Sequence, residues 1–152
     1  SIGKNVADIV KQNRGDFEII GVDLHSKVDI LFEILKEHPS IKYVYVNSYE
    51  SKEKVLAEYP HLTVYTKEDT FIALIDAYSY DLVVNALVGF AGLKPTVYSL
   101  EKGIDVALAN KESLVVGGTL IKKILKESKA KLYPIDSEHV ALAKCLKNKK
   151  DI

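Results

Sequence analysis

Short apolar runs alternate with amphipathic stretches along the whole chain. The runs have the length and β-branched content of buried strands, and the stretches repeat apolar residues at helical intervals. Strands are predicted at 18–24, 43–46, 62–65, 81–85, 105–109 and 131–133. Helices are predicted near the N-terminus and at about 28–37, 51–59, 66–75, 95–102, 114–128 and 137–146. This alternation predicts an α/β fold of the Rossmann-like, doubly wound type, with right-handed βαβ units and a mostly parallel sheet.

Local signals add detail to several of these helices. Val6, Ile9 and Val10 share one face of the first helix. Thr66 is the expected N-cap of the fourth helix, because Asp69 stands three residues later in a capping-box position. Gly103 is expected to end a helix in a left-handed conformation. The long helix at 114–128 should turn one stripe toward the core. That stripe consists of Leu120, Ile121, Ile124 and Leu125.

Composition excludes some classes of function. The 152 residues hold 21 basic and 21 acidic side chains, so the net charge is zero. We therefore expect neither a nucleic-acid surface nor a membrane surface. No apolar run approaches the ~18 residues of a membrane span. The single cysteine, Cys145, cannot form a disulfide within the chain, which fits a reducing compartment.

The N-terminal sequence departs from the usual order of a nucleotide-binding α/β domain. Such domains open with a strand, a glycine-rich turn and then a helix. Here Ser1-Ile2-Gly3 leads directly into the helix, and the chain contains no Met. We expect this sequence to be a piece of a longer protein that lacks a central strand. Two strands would then have unpaired edges, which makes a stable isolated domain doubtful.

Two charged runs follow predicted strands. The first, Asn110-Lys111-Glu112-Ser113, comes after 105–109, and the second, Asp136-Ser137-Glu138-His139, comes after 131–133. In an open α/β sheet, ligands bind beyond the carboxyl ends of the strands. Lys111 could hold a phosphate or a polarised carbonyl, and Asn110 could bond a carboxamide or a ribose. The alternative is an ordinary polar turn in which Asn110 or Ser113 caps the next helix.

The second run carries metal-type chemistry. Asp136 and Glu138 are two residues apart, so in an extended segment both carboxylates lie on the same side. Hard oxygen ligands of this kind suit Mg²⁺ or Mn²⁺, and a third ligand must come from elsewhere or from the substrate. Ser137 could donate to a substrate oxygen. The alternative is that Asp136 caps a helix and that Glu138 favours its first turn.

The two runs together resemble one known family. Residues 81–112 read DLVVNALVGFAGLKPTVYSLEKGIDVALANKE, and residues 131–142 read KLYPIDSEHVAL. This combination resembles the 1-deoxy-D-xylulose 5-phosphate reductoisomerases, NADPH-dependent enzymes of isoprenoid biosynthesis. The resemblance implies conversion of this phosphosugar to 2-C-methyl-D-erythritol 4-phosphate. A bound Mg²⁺ or Mn²⁺ assists carbon–carbon rearrangement, and NADPH then reduces the aldehyde.

The resemblance also implies roles for individual residues. Lys111, Asp136 and Glu138 are the implied catalytic residues. Lys111, Ser137 and Glu138 are implied to bind the substrate, and Asp136 and Glu138 to bind the metal. The implied coenzyme contacts are Ser1, Ile2, His25, Ser26, Lys27, Asn110 and Glu112. The segment 85–92 would lie beneath the nicotinamide half, where Gly89 and Gly92 allow close approach of the backbone.

Coenzyme choice is the point at which the chain departs from its relatives. Many relatives have glycine-lysine-asparagine where this chain has His25-Ser26-Lys27. Ser26 and Lys27 can still bind a 2′-phosphate by hydrogen bond and charge. An acidic residue at a strand end, here Asp23, usually bonds a 2′-hydroxyl and favours NADH. We nevertheless expect NADPH.

The resemblance further implies an NADPH-binding domain at 1–130 and the start of a catalytic domain at 131–152. It implies a homodimer in a bacterial cytosol, or in a plastid. The rest of the active site, including the third metal ligand, would lie beyond residue 152, so these residues alone should be inactive. Two alternatives remain: a non-catalytic α/β binding or interaction module, and another NAD(P)-dependent oxidoreductase of the homoserine-dehydrogenase type.

Overall fold

The computed structural model describes residues 2–24 and 27–136. They divide into two compact units, with the boundary between Ser79 and Tyr80. Within the described residues, no helix has both the length and the apolar character that crossing a bilayer requires.

The N-terminal unit is a three-stranded parallel sheet with four helices. Its strands are β1 (Gly21–Leu24), β2 (Tyr43–Val46) and β3 (Thr63–Tyr65), in the order β1-β2-β3. Its helices are α1 (Ile2–Gln12), α2 (Val28–Glu37), α3 (Tyr49–Glu58) and α4 (Thr70–Asp76). Val44 and Val64 are paired in register, and both contribute to a buried cluster with Leu31 and Val55. Burial of these apolar side chains between sheet and helices is what holds the unit together.

The C-terminal unit repeats the same plan. Its strands are β4 (Leu82–Asn85), β5 (Asp105–Leu108) and β6 (Leu132–Pro134), which are parallel and in the order β4-β5-β6. A 3₁₀ turn (Gly89–Gly92) and helix α5 (Leu93–Glu101) join β4 to β5, and α6 (Lys111–Glu127) joins β5 to β6. The core of this unit is a second buried apolar cluster. It consists of Leu100, Val106, Leu108, Ile121, Ile124 and Ala130.

Both sheets agree with the sequence-based expectation of parallel βαβ units. Among the described residues, β1 pairs only with β2 and β4 pairs only with β5, so each sheet has the unpaired edge that we expected. The predicted domain boundary after residue 130 stays a prediction. Across that position, β6 pairs with β5 through Leu108 and Pro134.

The structure corrects two of the predicted helix faces. Leu120 is 47% exposed, although Ile121 and Ile124 of the same predicted stripe are buried. Two adjacent residues lie 100° apart on a helix, so both cannot lie at the centre of one narrow buried face. In α1, Ile9 is 55% exposed, and the buried residue is Ala7.

The predicted start of α4 is also wrong. Thr66 does receive the expected partner, because its backbone N–H donates to Asp69 Oδ2 at 2.8 Å. However, the Asp69 N–H donates to the Thr66 carbonyl at 2.9 Å and closes a separate turn. Thr70 follows with φ +61°, so the helix begins at Thr70. By contrast, Gly103 has the predicted left-handed conformation, with φ +79°.

Candidate functional site at the ends of the C-terminal strands

The two charged runs come just after the carboxyl ends of two neighbouring strands, β5 and β6, of the C-terminal sheet. Leu108 pairs with Pro134 in register, and the Ile135 N–H extends the pairing by donating to the Leu108 carbonyl at 3.0 Å. Asn110 and Asp136 each stand two residues beyond the paired residues. Parallel neighbours lie ~4.8 Å apart. The tertiary structure therefore brings the start of the first run close to Asp136, although the two are far apart in the sequence.

Asn110 caps helix α6, as the alternative interpretation of its run predicted. Its Oδ1 accepts from the Ser113 N–H at 2.7 Å and from the Ser113 hydroxyl at 2.5 Å. Both residues are buried, and Asn110 has the extended conformation of an N-cap. The bond to Ser113 satisfies one of the free N–H groups with which every helix begins.

The same carboxamide also holds a distant loop. Asn110 Nδ2 donates to the carbonyls of Leu87 and Gly89 at 2.6 and 2.7 Å. Two acceptor and two donor positions are all that an asparagine side chain has, so its hydrogen-bonding capacity is used within the protein. The contact between Asn110 and a coenzyme stays a prediction. Any such contact by the side chain would have to replace one of these four bonds.

Asn85 is a structural residue of this site that the sequence reasoning did not single out. It ends β4 and is 3% exposed. Its Nδ2 donates to the Gly92 carbonyl at 2.6 Å and to Thr96 Oγ1 at 2.8 Å, and its Oδ1 accepts from the Leu87 N–H at 3.1 Å. An asparagine as the last residue of an apolar strand was the available signal, because a polar side chain at that depth needs internal partners.

Gly92 explains how closely the loop approaches the helix cap. A Cβ at this position would stand 2.8 Å from both Cγ and Nδ2 of Asn110. Only a residue without a side chain allows this approach. Gly89 has φ +70°, which is the left-handed region that favours glycine. The close approach expected at these two glycines is therefore present, although the contact in this structure is with Asn110.

Lys111 and Glu112 are the first two residues of α6. Lys111 is exposed and Glu112 is partly buried. The N-terminus of a helix carries free N–H groups and a partial positive charge, which favour phosphate and other anions. A lysine at this position adds a full positive charge and suits the phosphate interpretation. The negative charge of Glu112 interacts favourably with the partial positive charge at the same end of the helix.

Asp136 is the only residue of the predicted metal and substrate run that the structure describes. It is partly buried directly beyond β6, whereas Ser137 and Glu138 lie outside the described residues. Within residues 2–24 and 27–136, no three histidine, cysteine or acidic side chains are grouped to hold a metal. A carboxylate oxygen fits Mg²⁺ or Mn²⁺, so Asp136 fits as one ligand of an incomplete set.

The N-terminal unit carries the other predicted coenzyme contacts. Ile2 is the first residue of α1 and is 46% exposed, and Lys27 is the exposed residue before α2. Ser1, His25 and Ser26 lie outside the described residues. Lys27 lines an open groove of about 730 Å³ between α2 and α3, together with Asp29, Glu50, Ser51 and Lys54. Lys54 is bonded to Glu50 at 2.7 Å, and the lining holds two positive and two negative side chains.

Asp23 lies against the sheet. It is paired in register with Tyr45, so the two side chains point to the same face of the sheet. One carboxylate oxygen of Asp23 is buried. Burial raises the pKa of the Tyr45 hydroxyl, and the negative charges of Asp23 and Asp69 raise it further. Asp23 is thus partly buried, with one carboxylate oxygen turned away from solvent.

Comparison with known proteins identifies relatives of the whole chain. A family model described as 1-deoxy-D-xylulose 5-phosphate reductoisomerase matches residues 1–118. The reductoisomerase of Clostridium perfringens strain 13 is 37% identical over 150 residues, which cover 96% of this chain and 39% of that protein. The Clostridium kluyveri enzyme is 38% identical over 155 residues, which cover 97% and 39%. The chain thus spans about two fifths of the length of these curated relatives.

Solved structures show the same similarity in three dimensions. A DOX-P reductoisomerase in complex with NADPH, fosmidomycin and magnesium superposes with a TM-score of 0.87 at 31% identity. The aligned region covers 97% of this chain and 37% of that one. The 1-deoxy-D-xylulose 5-phosphate reductoisomerase of Zymomonas mobilis, in complex with NADPH, gives 0.84 at 30% identity and covers 97% and 39%.

Proposed function

Because this chain belongs to the 1-deoxy-D-xylulose 5-phosphate reductoisomerase family, we propose that it is the coenzyme-binding part of such an enzyme. The reaction is NADPH-dependent conversion of 1-deoxy-D-xylulose 5-phosphate to 2-C-methyl-D-erythritol 4-phosphate in isoprenoid biosynthesis. The observation that carries the proposal is the meeting of two runs, Asn110–Glu112 and Asp136, at the ends of neighbouring strands. Each run alone could be an ordinary capped turn. Together they would place a metal ligand beside a helix end suited to phosphate, which is what this reaction requires.

Each of the two units carries some of the proposed coenzyme contacts. Ile2 begins α1, whose N-terminus favours a pyrophosphate by its free N–H groups and its dipole. Ser1, His25, Ser26 and Lys27 are proposed to complete the adenosine side, and Asn110 and Glu112 the nicotinamide side. NADPH, when bound, supplies the hydride that reduces the aldehyde. The protein residues orient the coenzyme, and the positive charge of Lys27 favours a 2′-phosphate over a 2′-hydroxyl.

The substrate is proposed to lie against the N-terminus of α6. Lys111, exposed at that end, binds the substrate by charge, and the helix dipole adds to the attraction. Ser137 donates to a substrate oxygen. Asp136 and Glu138 would hold Mg²⁺ or Mn²⁺ by supplying two of its oxygen ligands, and Glu138 would also contact the substrate. The metal supplies Lewis-acid assistance to the carbon–carbon rearrangement.

The exposed position of Lys27 supports the choice of NADPH over NADH. Lys27 stands directly before α2, where its positive charge attracts a 2′-phosphate, and one oxygen of Asp23 is buried. We expect Lys27→Glu to weaken NADPH binding more than NADH binding. An equal loss for both coenzymes would remove Lys27 from the 2′-phosphate site.

Family membership also supports proposals about the assembly, the location and the domains of the whole protein. They are a homodimeric assembly, a bacterial cytosolic or plastid location, and a division into an NADPH-binding domain (1–130) and the start of a catalytic domain (131–152). Because the chain covers 39% of its relatives, we propose that these 152 residues alone do not turn over substrate.

The decisive experiment uses the full-length gene product that contains this sequence. Oxidation of NADPH that depends on both 1-deoxy-D-xylulose 5-phosphate and Mg²⁺ or Mn²⁺ is the expected result. Asp136→Asn should abolish turnover, because a neutral amide is a poor ligand for a hard cation, and should leave NADPH binding near normal. Persistent turnover would refute the metal assignment. NADPH binding without this reaction would favour another oxidoreductase, and absence of binding would favour a non-catalytic module.

A further inference from the structure

Two asparagine side chains at neighbouring strand ends hydrogen-bond to the loop between β4 and α5. Asn85 ends β4, and Asn110 follows β5. Their side chains bond the N–H of Leu87 and the carbonyls of Leu87, Gly89 and Gly92. Four backbone groups of a short segment are thereby satisfied by two side chains. We define this segment, residues 86–92, as the β4–α5 loop.

These hydrogen bonds are buried, and they occupy all or nearly all of the hydrogen-bonding capacity of the two asparagine side chains. Asn85 and Asn110 are 3% and 2% exposed. Thr96, which is fully buried, adds a second bond to the Gly92 carbonyl at 2.9 Å and accepts from Asn85. Polar groups at this depth cannot exchange their partners for water without a large penalty. The shape of the loop is therefore set by side chains outside it.

What the loop presents to its surroundings is apolar. Val88 is 86% exposed and Phe90 is 71% exposed, although both side chains would prefer burial. The residues on either side of Val88, Leu87 and Gly89, are the ones whose backbone groups the asparagines bond. A loop that is rigidly held while exposing two large apolar side chains is organised to contact something outside the unit.

We propose that Asn85 and Asn110 are positioning residues that set the β4–α5 loop for the nicotinamide half of the coenzyme. This inference rests on the proposed function and deepens it. The coenzyme meets the backbone of the loop and the Val88 and Phe90 side chains. Asn85 and Asn110 act through the loop, and neither carboxamide needs to touch the coenzyme. The role of Asn110 then includes its bonds to the loop, and Asn85 acts through the loop alone.

The test compares binding of two ligands by variants of the full-length gene product. NADPH carries the nicotinamide half, whereas 2′,5′-ADP carries only the adenosine half with its 2′-phosphate. Asn110→Ser retains a good helix cap but cannot reach the Leu87 and Gly89 carbonyls. Asn85→Asp is isosteric and keeps the acceptor for the Leu87 N–H, but loses the donor to Gly92. Ser128→Ala is the control, because it removes a bond to the Leu100 carbonyl in the same unit without touching the loop.

Both asparagine variants should bind NADPH about tenfold more weakly, which corresponds to loss of roughly one to two buried hydrogen bonds. Binding of 2′,5′-ADP should be unchanged in both, and Ser128→Ala should bind both ligands normally. Unchanged NADPH binding in either asparagine variant would overturn the proposal. If only Asn110→Ser were affected, Asn110 would contact the coenzyme directly. Equal losses for both ligands would indicate general destabilisation.

Hydrogen exchange of the unliganded protein separates this proposal from the proposed function. Each variant loses side-chain bonds that hold loop carbonyls, to Gly92 in Asn85→Asp and to Leu87 and Gly89 in Asn110→Ser. Amide exchange in the β4–α5 loop should therefore accelerate in both asparagine variants and stay slow in Ser128→Ala. Unchanged exchange would overturn the positioning role whatever the protein binds. If exchange accelerates as expected but the unvaried protein does not bind NADPH, the asparagines shape the loop and the proposed coenzyme is wrong.

Discussion

The two units have the same architecture but end their strands in different ways. In the N-terminal unit, the polar side chains beyond the strands bond within three residues of themselves: Ser48 with Ser51, and Thr66 with Asp69. In the C-terminal unit, Asn110 caps α6 locally and also reaches 21 and 23 residues back to the β4–α5 loop. These two pairs of the N-terminal unit thus bond locally, whereas the C-terminal unit ties two strand ends and a loop into one network.

The contrast indicates which unit holds a surface loop in a fixed shape before any ligand binds. A local cap stabilises a helix but fixes nothing beyond its own turn. A carboxamide shared between a helix cap and a distant loop makes the shape of the loop depend on the tertiary structure. In this protein, the shared network lies at the sheet edge to which we assign the substrate and the nicotinamide. A rigid surface at that place lowers the entropy that binding would otherwise have to remove.

Truncation of the two cores should give the largest effects and should show that the cores are equivalent. Leu31 and Leu100 are both fully buried, one in each apolar cluster. Leu31→Ala and Leu100→Ala should each lower the free energy of unfolding by about 2–5 kcal/mol, because each leaves a cavity as well as losing apolar burial. Denaturant titration of the full-length protein would measure both. A small effect of only one substitution would mean that the units differ in their cores as well as in their strand ends.

Gly92→Ala should break the shared network. The added Cβ would stand 2.8 Å from an Asn110 side chain that four hydrogen bonds hold in place, so neither group can yield cheaply. We expect a loss of about 2–3 kcal/mol from overpacking and broken hydrogen bonds. Gly118→Ala is the matched control in α6, where a Cβ meets nothing within 4 Å. It should stabilise the protein by roughly 0.5–1 kcal/mol through helix propensity. Similar thermal shifts in the two variants would contradict the close approach of Gly92 to Asn110.

The two helix caps provide the most direct comparison of the units. Ser48→Ala removes a local cap of α3 and should cost about 1 kcal/mol. Asn110→Ala removes the α6 cap and both loop bonds, so we expect about 2–3 kcal/mol. Asn110→Ser should recover only the part that belongs to the cap. If Asn110→Ala costs no more than Ser48→Ala, the bonds to the loop contribute nothing to stability.

The smallest effect concerns alkaline pH and is confined to the N-terminal unit. Burial raises the pKa of Tyr45 above its ordinary value of 10.0, with help from Asp23 and Asp69. The unfolded chain therefore loses this proton first, so stability is full below pH 10.0 and falls as the pH rises above it. Tyr45→Phe should flatten that fall in unfolding experiments. The exposed Tyr49→Phe serves as control, and an identical pH dependence in both variants would remove Tyr45 as the cause.

Much of the fold could be predicted because it depends on local patterns. The helix at 28–37 and the strand at 43–46 were placed at their observed bounds, since each has one clear apolar face. Gly103 could be assigned its left-handed conformation because glycine has a low cost there. Leu120 could not be placed correctly, because which side of a wide apolar stripe is buried depends on the neighbouring helix and strand.

The candidate site divides in the same way. The residue types of the Asn110 and Asp136 runs, and their order after strands, were readable from the chain and were sufficient to suggest phosphate, coenzyme and metal chemistry. Asn85 at the end of an apolar strand signalled a need for internal partners, but the chain alone did not show which partners it meets. The face of the sheet that Asp23 shares with Tyr45 also depended on strand register, which is a property of the sheet.

The alternation of strands and helices, the parallel sheets and the family could all be inferred from the chain, because periodicity and short motifs are local. The neighbouring positions of Asn110 and Asp136 at strand ends, and the loop that Asn85 and Asn110 share, became visible only in the folded protein. These facts depend on strand register and on hydrogen bonds between residues far apart in the sequence. A carboxamide can satisfy many partners equally well, and the packing of the strands and helices selects which of them it meets.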